Sequence, residues 1–382
     1  MIVLDITKYF GETTGGIRTY LLQKARYVAE RGDLRQVVVV PDQEESFTRE
    51  GATSWYRLRS PRIPTEREYR LLLGRNRIRR IVAAERPNLI EVGSPFLVPW
   101  LARSAARGWD VPLVWFYHTN FPHIMAPPIP GIVPLRQWSG TWAWRYARVV
   151  GRMARATLVA SESVALELER QRVPNVRRVT LGVNLEQFHP RRRAEAGATR
   201  ARHCLPDGPL LLYAGRIARE KGLEVVLRGW NGVERDAEAT LALVGQGPLR
   251  ERLVAATADR RVVWLPHLAD REELADLLAA ADLFLAPGPA ETFGLAALEA
   301  MASGTPVLAV DCGPVAERVT ASGAGGVYAP GRADDFAQAA LGLLTGDLGS
   351  LSRAARAYAE RHHSWRAAFD RIFAVYDEVL RG

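Results

Sequence analysis

The chain has 382 residues, 48% hydrophobic and 24% charged, with a formal net charge of +9. That is globular composition and excludes a disordered or collagen-like chain. Cys204 and Cys312, 108 positions apart without CxxC or Cys/His spacing, exclude a disulfide scaffold and a structural zinc site. The start, MIVLDITKYF, carries Asp5 in its short apolar run and does not read as a signal peptide. No run reaches about 18 apolar residues. A cytoplasmic protein of about two domains is expected. Residues 1–190 hold 28 Lys and Arg against 17 Asp and Glu, so the first half is +11 and the second −2. Such asymmetry suits a polyanionic partner: a membrane surface, a nucleic acid or a phosphorylated substrate.

In chain order, Ile2–Ile6 reads as a strand, followed by a loop with Gly15-Gly16 and a helix from about Ile17 to Glu30. Val37–Val40 is a β-branched run, the pattern of a strand buried on both faces. Helical patterning spans Glu66–Glu85, then strands follow at Leu89–Val92, Leu113–Tyr117 and Leu158–Ala160, with a helix start at Ser161-Glu162. Between Phe188 and Pro209 the pattern stops in a basic, Gly/Pro-punctuated segment that reads as a linker.

A second alternation follows: strands Leu210–Tyr213, Leu241–Val244, Val262–Leu265, Leu283–Leu285 and Val307–Val310. Helices are expected near Glu220–Arg228, Pro248–Ala258, Arg271–Ala280, Phe293–Met301 and Trp365–Leu380. Alternation of this kind implies parallel sheets, an α/β fold of two Rossmann-like domains facing across a ligand cleft. The expected division is 1–188, a linker 189–208, a domain 209–364, and a C-terminal helix 365–382 packing back on the first domain.

Four constellations carry chemistry. In ETFGLAALE, residues 291–299, two glutamates bracket a loop-to-helix turn. There Phe293, Gly294 and Leu295 offer backbone N–H groups that suit a phosphate. Glu291 is placed to accept hydrogen bonds from sugar hydroxyls; the plain alternative is a capping Glu291 and a solvated Glu299. In Gly215-Arg216…Lys221-Gly222, two cations emerge at a strand's carboxyl end, where they would neutralise a diphosphate. Lys221 is one of only three lysines in an arginine-rich chain, with Lys8 and Lys24. His118 ends the strand at Leu113–Tyr117, and Gly15-Gly16 precedes a helix in the first βα loop. A structural histidine and a tight turn explain those two equally well.

Together with Val244-Gly245-Gln246-Gly247-Pro248, these segments resemble the retaining GT-B glycosyltransferases of family 4, in order from about residue 2 to 330. The resemblance implies that Arg216 and Lys221 hold the donor diphosphate and that Glu299 binds the nucleotide ribose. It implies Glu291 with the Phe293–Leu295 backbone at the donor sugar and phosphate, His118 beside the transferred sugar, and substrate contacts at Gly15, Gly16 and Gly245. The loop Trp264–Leu268, with His267 and Leu268, would contact the base. His267 stands where a glycine is usual, and Gly313-Pro314 replaces Gly-Gly, so the base stays open between UDP- and GDP-sugars.

No DxD motif is present, and a metal-independent transfer with retention of configuration is implied, with no cofactor beyond the donor. Gly93-Ser94-Pro95 and His118-Thr119 look most like glycolipid-forming enzymes, including sulfoquinovosyl and mannosyl transferases. The acceptor is therefore expected to be lipid-linked or a polyol. Arg75, Arg77, Arg79 and Arg80, and a stretch that interleaves Trp138, Trp142 and Trp144 with Arg136, Arg145, Arg148 and Arg152, suit an anionic membrane face. The loop Pro122–Pro134 could admit an acyl chain. A sugar-nucleotide epimerase or a phosphorylase on the same plan is the competing enzyme. A nucleic-acid binder is disfavoured, since neither an RNP nor a zinc-finger pattern occurs.

Overall fold

A computed structural model describes residues 1–11, 15–63, 66–125 and 133–382, the side chains of 66–68, 124–125 and 133–139 excepted. The chain divides into two compact units, Met1–Leu181 with Trp365–Gly382, and Gly182–Ser364.

In the first unit the strands are β1 (Ile2–Ile6), β2 (Arg35–Asp42), β3 (Ser46–Glu50), β4 (Thr53–Arg59), β5 (Arg62–Ile63), β6 (Glu66–Arg70), β7 (Leu89–Val92), β8 (Leu113–Phe116), β9 (Ala156–Val159) and β10 (Val176–Arg178). Eight of them form one sheet in the order β10-β9-β8-β7-β1-β2-β4-β3. It is parallel except where β3 turns back along β4. Val37 to Val40 are fully buried, because helices cover both faces of a central parallel strand. Helix Gly16–Glu30 packs against the C-terminal helix Trp365–Arg381 in this unit. Residues 66–70 are strand rather than helix: they pair antiparallel with β5, and helix Arg75–Glu85 starts only after Gly74, whose φ of 105° breaks the run.

In the second unit β11 (Leu210–Ala214), β12 (Thr240–Val244), β13 (Val262–Leu265), β14 (Leu283–Ala286), β15 (Val307–Val310) and β16 (Gly325–Tyr328) form an all-parallel sheet ordered β13-β12-β11-β14-β15-β16. Segment 189–208 is no linker. Pro190–Glu195 and Ala196–Arg202 are helical and pack on helix Arg271–Ala280. The basic run meets an acidic face: Arg192 pairs with Glu272 and, at 2.6 Å, with Asp276, while Arg200 reaches Asp282 at 3.0 Å. The helix expected at Glu220–Arg228 begins at Leu223, after a single tight turn at Arg219–Lys221.

Candidate functional site

In the second unit the strand order reverses between β11 and β14, the switch point where open α/β sheets bind ligands. The chain leaving β11 supplies Arg216 and Lys221, and the chain leaving β14 supplies Glu291. Lys221 Nζ lies 2.5 Å from Glu291 Oε1, both about a quarter exposed. Arg216 Nη1 stands 3.4 Å from Glu220 Oε1, and its carbonyl accepts from the Tyr213 hydroxyl at 2.8 Å. Lys221 and Glu291 thus pair where βα loops converge, with Arg216 on the loop that carries Lys221. The backbone comes equally close, because Gly245 has a φ of 143° and a Cβ there would stand 1.9 Å from the Gly215 carbonyl oxygen.

Helix Leu295–Ala302 starts at Gly294, whose φ of 76° favours glycine; a Cβ would fall 2.3 Å from Val315 Cγ2. The first N–H groups of this helix have no acceptor inside it and form the anion-receptive end expected from the sequence. Glu299 lies further along the helix, buried, and burial pushes its carboxyl up despite a pairing with Arg271. Arg271 also stacks 5.0 Å over Phe188. His267 and the buried Leu268 lie in the loop after β13, where the Trp264 indole N–H is spent on Thr257 Oγ1 at 2.9 Å.

His118, Gly15 and Gly16 belong to the first unit. A Cβ at either glycine would meet nothing within 4 Å among the described residues. This sheet reverses between β1 and β7, where Thr7 Oγ1 and Ser94 Oγ are 2.6 Å apart. His118 follows β8, stacked on Phe116 with ring centroids 3.9 Å apart and 5.1 Å from Tyr20. Burial lowers its pKa to about 4, so the imidazole is neutral at pH 7. Asp5 and Glu91 stand in register on β1 and β7, and the fully buried Lys24 joins them at 2.6 and 3.3 Å. Tyr20 bonds Glu91 at 3.0 Å, and Tyr376 accepts from Lys24 at 2.9 Å while donating to Glu91. Burial raises Asp5 to about 7, whereas Lys24 leads the interactions that hold Glu91 below its usual value. Beside Thr7 a cavity of about 260 Å³ is lined by Lys8, Ile63, Leu71, Leu72, Phe96 and Leu97 among others. Phe96 sits at φ 69°, ψ −114°, with its carbonyl accepting from the Tyr146 hydroxyl at 2.5 Å.

Residues 14–187 match the Glycosyltransferase Family 4 model and residues 208–346 the model described as Glycosyl transferases group 1. A GDP-mannose-dependent alpha-(1-6)-phosphatidylinositol dimannoside mannosyltransferase of Mycobacterium tuberculosis is 30% identical over 96% of this chain and 94% of its own length. The chain is a family 4 glycosyltransferase. A sulfoquinovosyl transferase of Arabidopsis thaliana is 29% identical over 91% of this glycosyltransferase and 67% of the plant protein. Sucrose-phosphate synthase from Thermosynechococcus elongatus superposes with a TM-score of 0.82 at 21% identity, covering 100% of this chain and 99% of that one. The fold of this glycosyltransferase is accordingly GT-B, built of two Rossmann-like units. Sequence reasoning passed over Arg271 and the Asp5–Lys24–Glu91 cluster. The scarcity of lysine that marked Lys221 marked Lys24 equally.

Proposed function

We propose that this enzyme transfers a hexose from a UDP- or GDP-sugar to a lipid-linked or polyol acceptor, with retention of configuration and without a divalent metal. The observation that carries the donor half is the pairing of Lys221 with Glu291 just before the helix that starts at Gly294, with Arg216 on the loop of Lys221. The two cations supply fixed positive charge as the sugar–phosphate bond breaks and the diphosphate departs. The acceptor hydroxyl attacks from the leaving-group side, and a donor phosphate oxygen takes its proton. Glu291 hydrogen-bonds the sugar and is itself oriented by Lys221. Glu299, held by Arg271, faces the ribose. The neutral imidazole of His118 can hydrogen-bond a sugar hydroxyl without adding charge.

A lipid-linked acceptor is supported by the apolar cavity at the first unit's switch point and by the relative named for phosphatidylinositol dimannoside. A peripheral position on the inner membrane face is supported by Arg75, Arg79 and Arg80, which are exposed and have no acid in ion-pair range among the described residues. Arg77 is committed to Glu45 at 2.9 Å. Trp142 is half exposed and Arg145 and Arg152 are exposed, whereas the side chains of Arg136 and Trp138, and residues 126–132 of the Pro122–Pro134 loop, lie outside the described residues. No described helix is long and apolar enough to cross a membrane.

A thermal-shift screen of UDP, GDP and ADP, then transfer assays with the matching sugar donors, tests the donor half. Stabilisation by one nucleoside diphosphate and acceptor-dependent release of it are expected without added metal. Consumption of donor without acceptor, or a requirement for inorganic phosphate, would replace the reading by an epimerase or a phosphorylase. Flotation should show binding to anionic rather than neutral liposomes that weakens at high salt; indifference to both would favour a soluble acceptor.

A further inference from the structure

Helix Gly313–Ser322 touches the turn that opens helix Leu295–Ala302 in two places. Val315 fills the space beside Gly294 that a side chain would need. One helical turn on, Arg318 Nη2 donates to the Phe293 carbonyl at 2.8 Å and Nη1 to the Gly294 carbonyl at 3.3 Å. Its guanidinium lies 4.4 Å from the centre of the Phe293 ring. Both carbonyls of the turn are therefore tied back by one planar fork, a task for which arginine's fixed donor geometry is suited. The conformation of that turn sets where the N–H groups of Leu295, Ala296 and Ala297 point.

The charge on Arg318 has a second consequence. The side chain is only 5% exposed, and among the described residues no carboxylate lies within ion-pair distance of it. Burial depresses its pKa to about 10, so it stays cationic at neutral pH. A buried cation that Glu317 and Glu291 offset only from beyond ion-pair distance favours an anion brought close to it. We propose that Arg318 is a positioning residue for the donor diphosphate: it locks the Phe293–Gly294 turn and holds in reserve a buried positive charge that the bound diphosphate completes. This rests on the donor reading given above.

Calorimetric titration of the full chain with guanosine, GMP and GDP, and with the uridine series, separates the charge from the fold. Arg318→Met should weaken diphosphate binding by about tenfold or more, the scale of one charge-assisted contact, and change nucleoside binding by less than about twofold. The ligand-free melting temperature of this variant should fall by no more than a few degrees, because loss of the buried cation offsets the two carbonyls that it frees. Arg318→Lys, which retains the charge and loses the fork, should recover part of the diphosphate affinity and its salt dependence. Equal losses for nucleoside and diphosphate, or a lowered ligand-free melting temperature without selective loss, would overturn the proposal and make Arg318 a residue of the core. Wild-type protein that binds neither GDP nor UDP would overturn the donor reading and this proposal with it. Wild-type binding alongside an unaffected Arg318→Met would overturn this proposal alone.

Discussion

The two sheets share one plan. With the antiparallel β3 and the edge strand β10 of the first sheet set aside, the two orders correspond strand for strand, β4-β2-β1-β7-β8-β9 and β13-β12-β11-β14-β15-β16. Their switch points are nonetheless opposite in character. In the second unit the charges stand in the loops beyond the strands, with Arg216, Lys221 and Glu291 partly open to solvent. In the first unit the charges are sealed within the sheet and its helices, as Asp5, Lys24 and Glu91. Its crevice holds a neutral imidazole and a mostly apolar cavity with Lys8 on its lining, while the Thr7 and Ser94 hydroxyls are buried against each other. Strand order supplies a place for a ligand; the residues on the βα loops decide whether that place suits an anion or something uncharged.

Replacing the lysine in each unit separates the two roles most sharply. Lys24→Met leaves two buried carboxylates without a cation and should cost about 3–5 kcal/mol of stability in urea unfolding. Lys221→Met, at a part-exposed pair, should cost only about 0–1 kcal/mol. Similar losses in both would erase the contrast. On turnover the order inverts. Lys221→Ala and Arg216→Ala should each lower it by about 10²–10³, with an unchanged circular dichroism spectrum. Near-normal rates in both would remove these cations from the mechanism.

The glutamates refine the second unit. Glu299→Ala should weaken free nucleotide binding by roughly 1.5–3 kcal/mol, the worth of a hydrogen bond to a charged group. Glu291→Ala should leave that binding nearly intact and slow transfer. Equal losses in calorimetry would show the roles misassigned. The last test is at His118. Its folded pKa, about 4, lies below its ordinary 6.5, so the unfolded chain takes the proton first. His118 therefore lowers stability as pH drops from 6.5 to 4, while Asp5, raised from 3.8 to about 7, acts in the opposite sense over nearly the same range. Relative to the unchanged protein, His118→Phe should gain stability progressively between pH 6.5 and 4; a difference that does not vary with pH would mean that other groups set the dependence.

Much of this was legible before any coordinates. Val262–Leu265, Arg271–Ala280 and Val307–Val310 have the expected bounds, because apolar runs in parallel strands and helical periodicity are local signals. Residues 66–70 misled, since Glu-Arg-Glu-Tyr-Arg, four charges and one tyrosine, fits a helix face as well as a strand. Segment 189–208 misled because the acidic partners of Arg192 and Arg200, Asp276 and Asp282, lie some 80 positions later. Arg271 on Glu299 and Arg318 on the Phe293 turn were invisible for the same reason: pairings across 28 and 25 positions leave no periodicity to read.

The helix Trp365–Arg381 belongs to a unit whose other residues end at Leu181. Its Tyr376 closes the Lys24–Glu91 cluster, its Phe369 lies against Tyr20 and Tyr27, and its Asp370 accepts from the Tyr27 hydroxyl at 2.6 Å. A chain emerging from the ribosome therefore cannot finish its first unit first. The second unit is fully translated while the buried charges of the first still lack their cover. Domains usually mature from the N-terminus onward, but here native contacts of the first unit await a helix translated after the whole of the second.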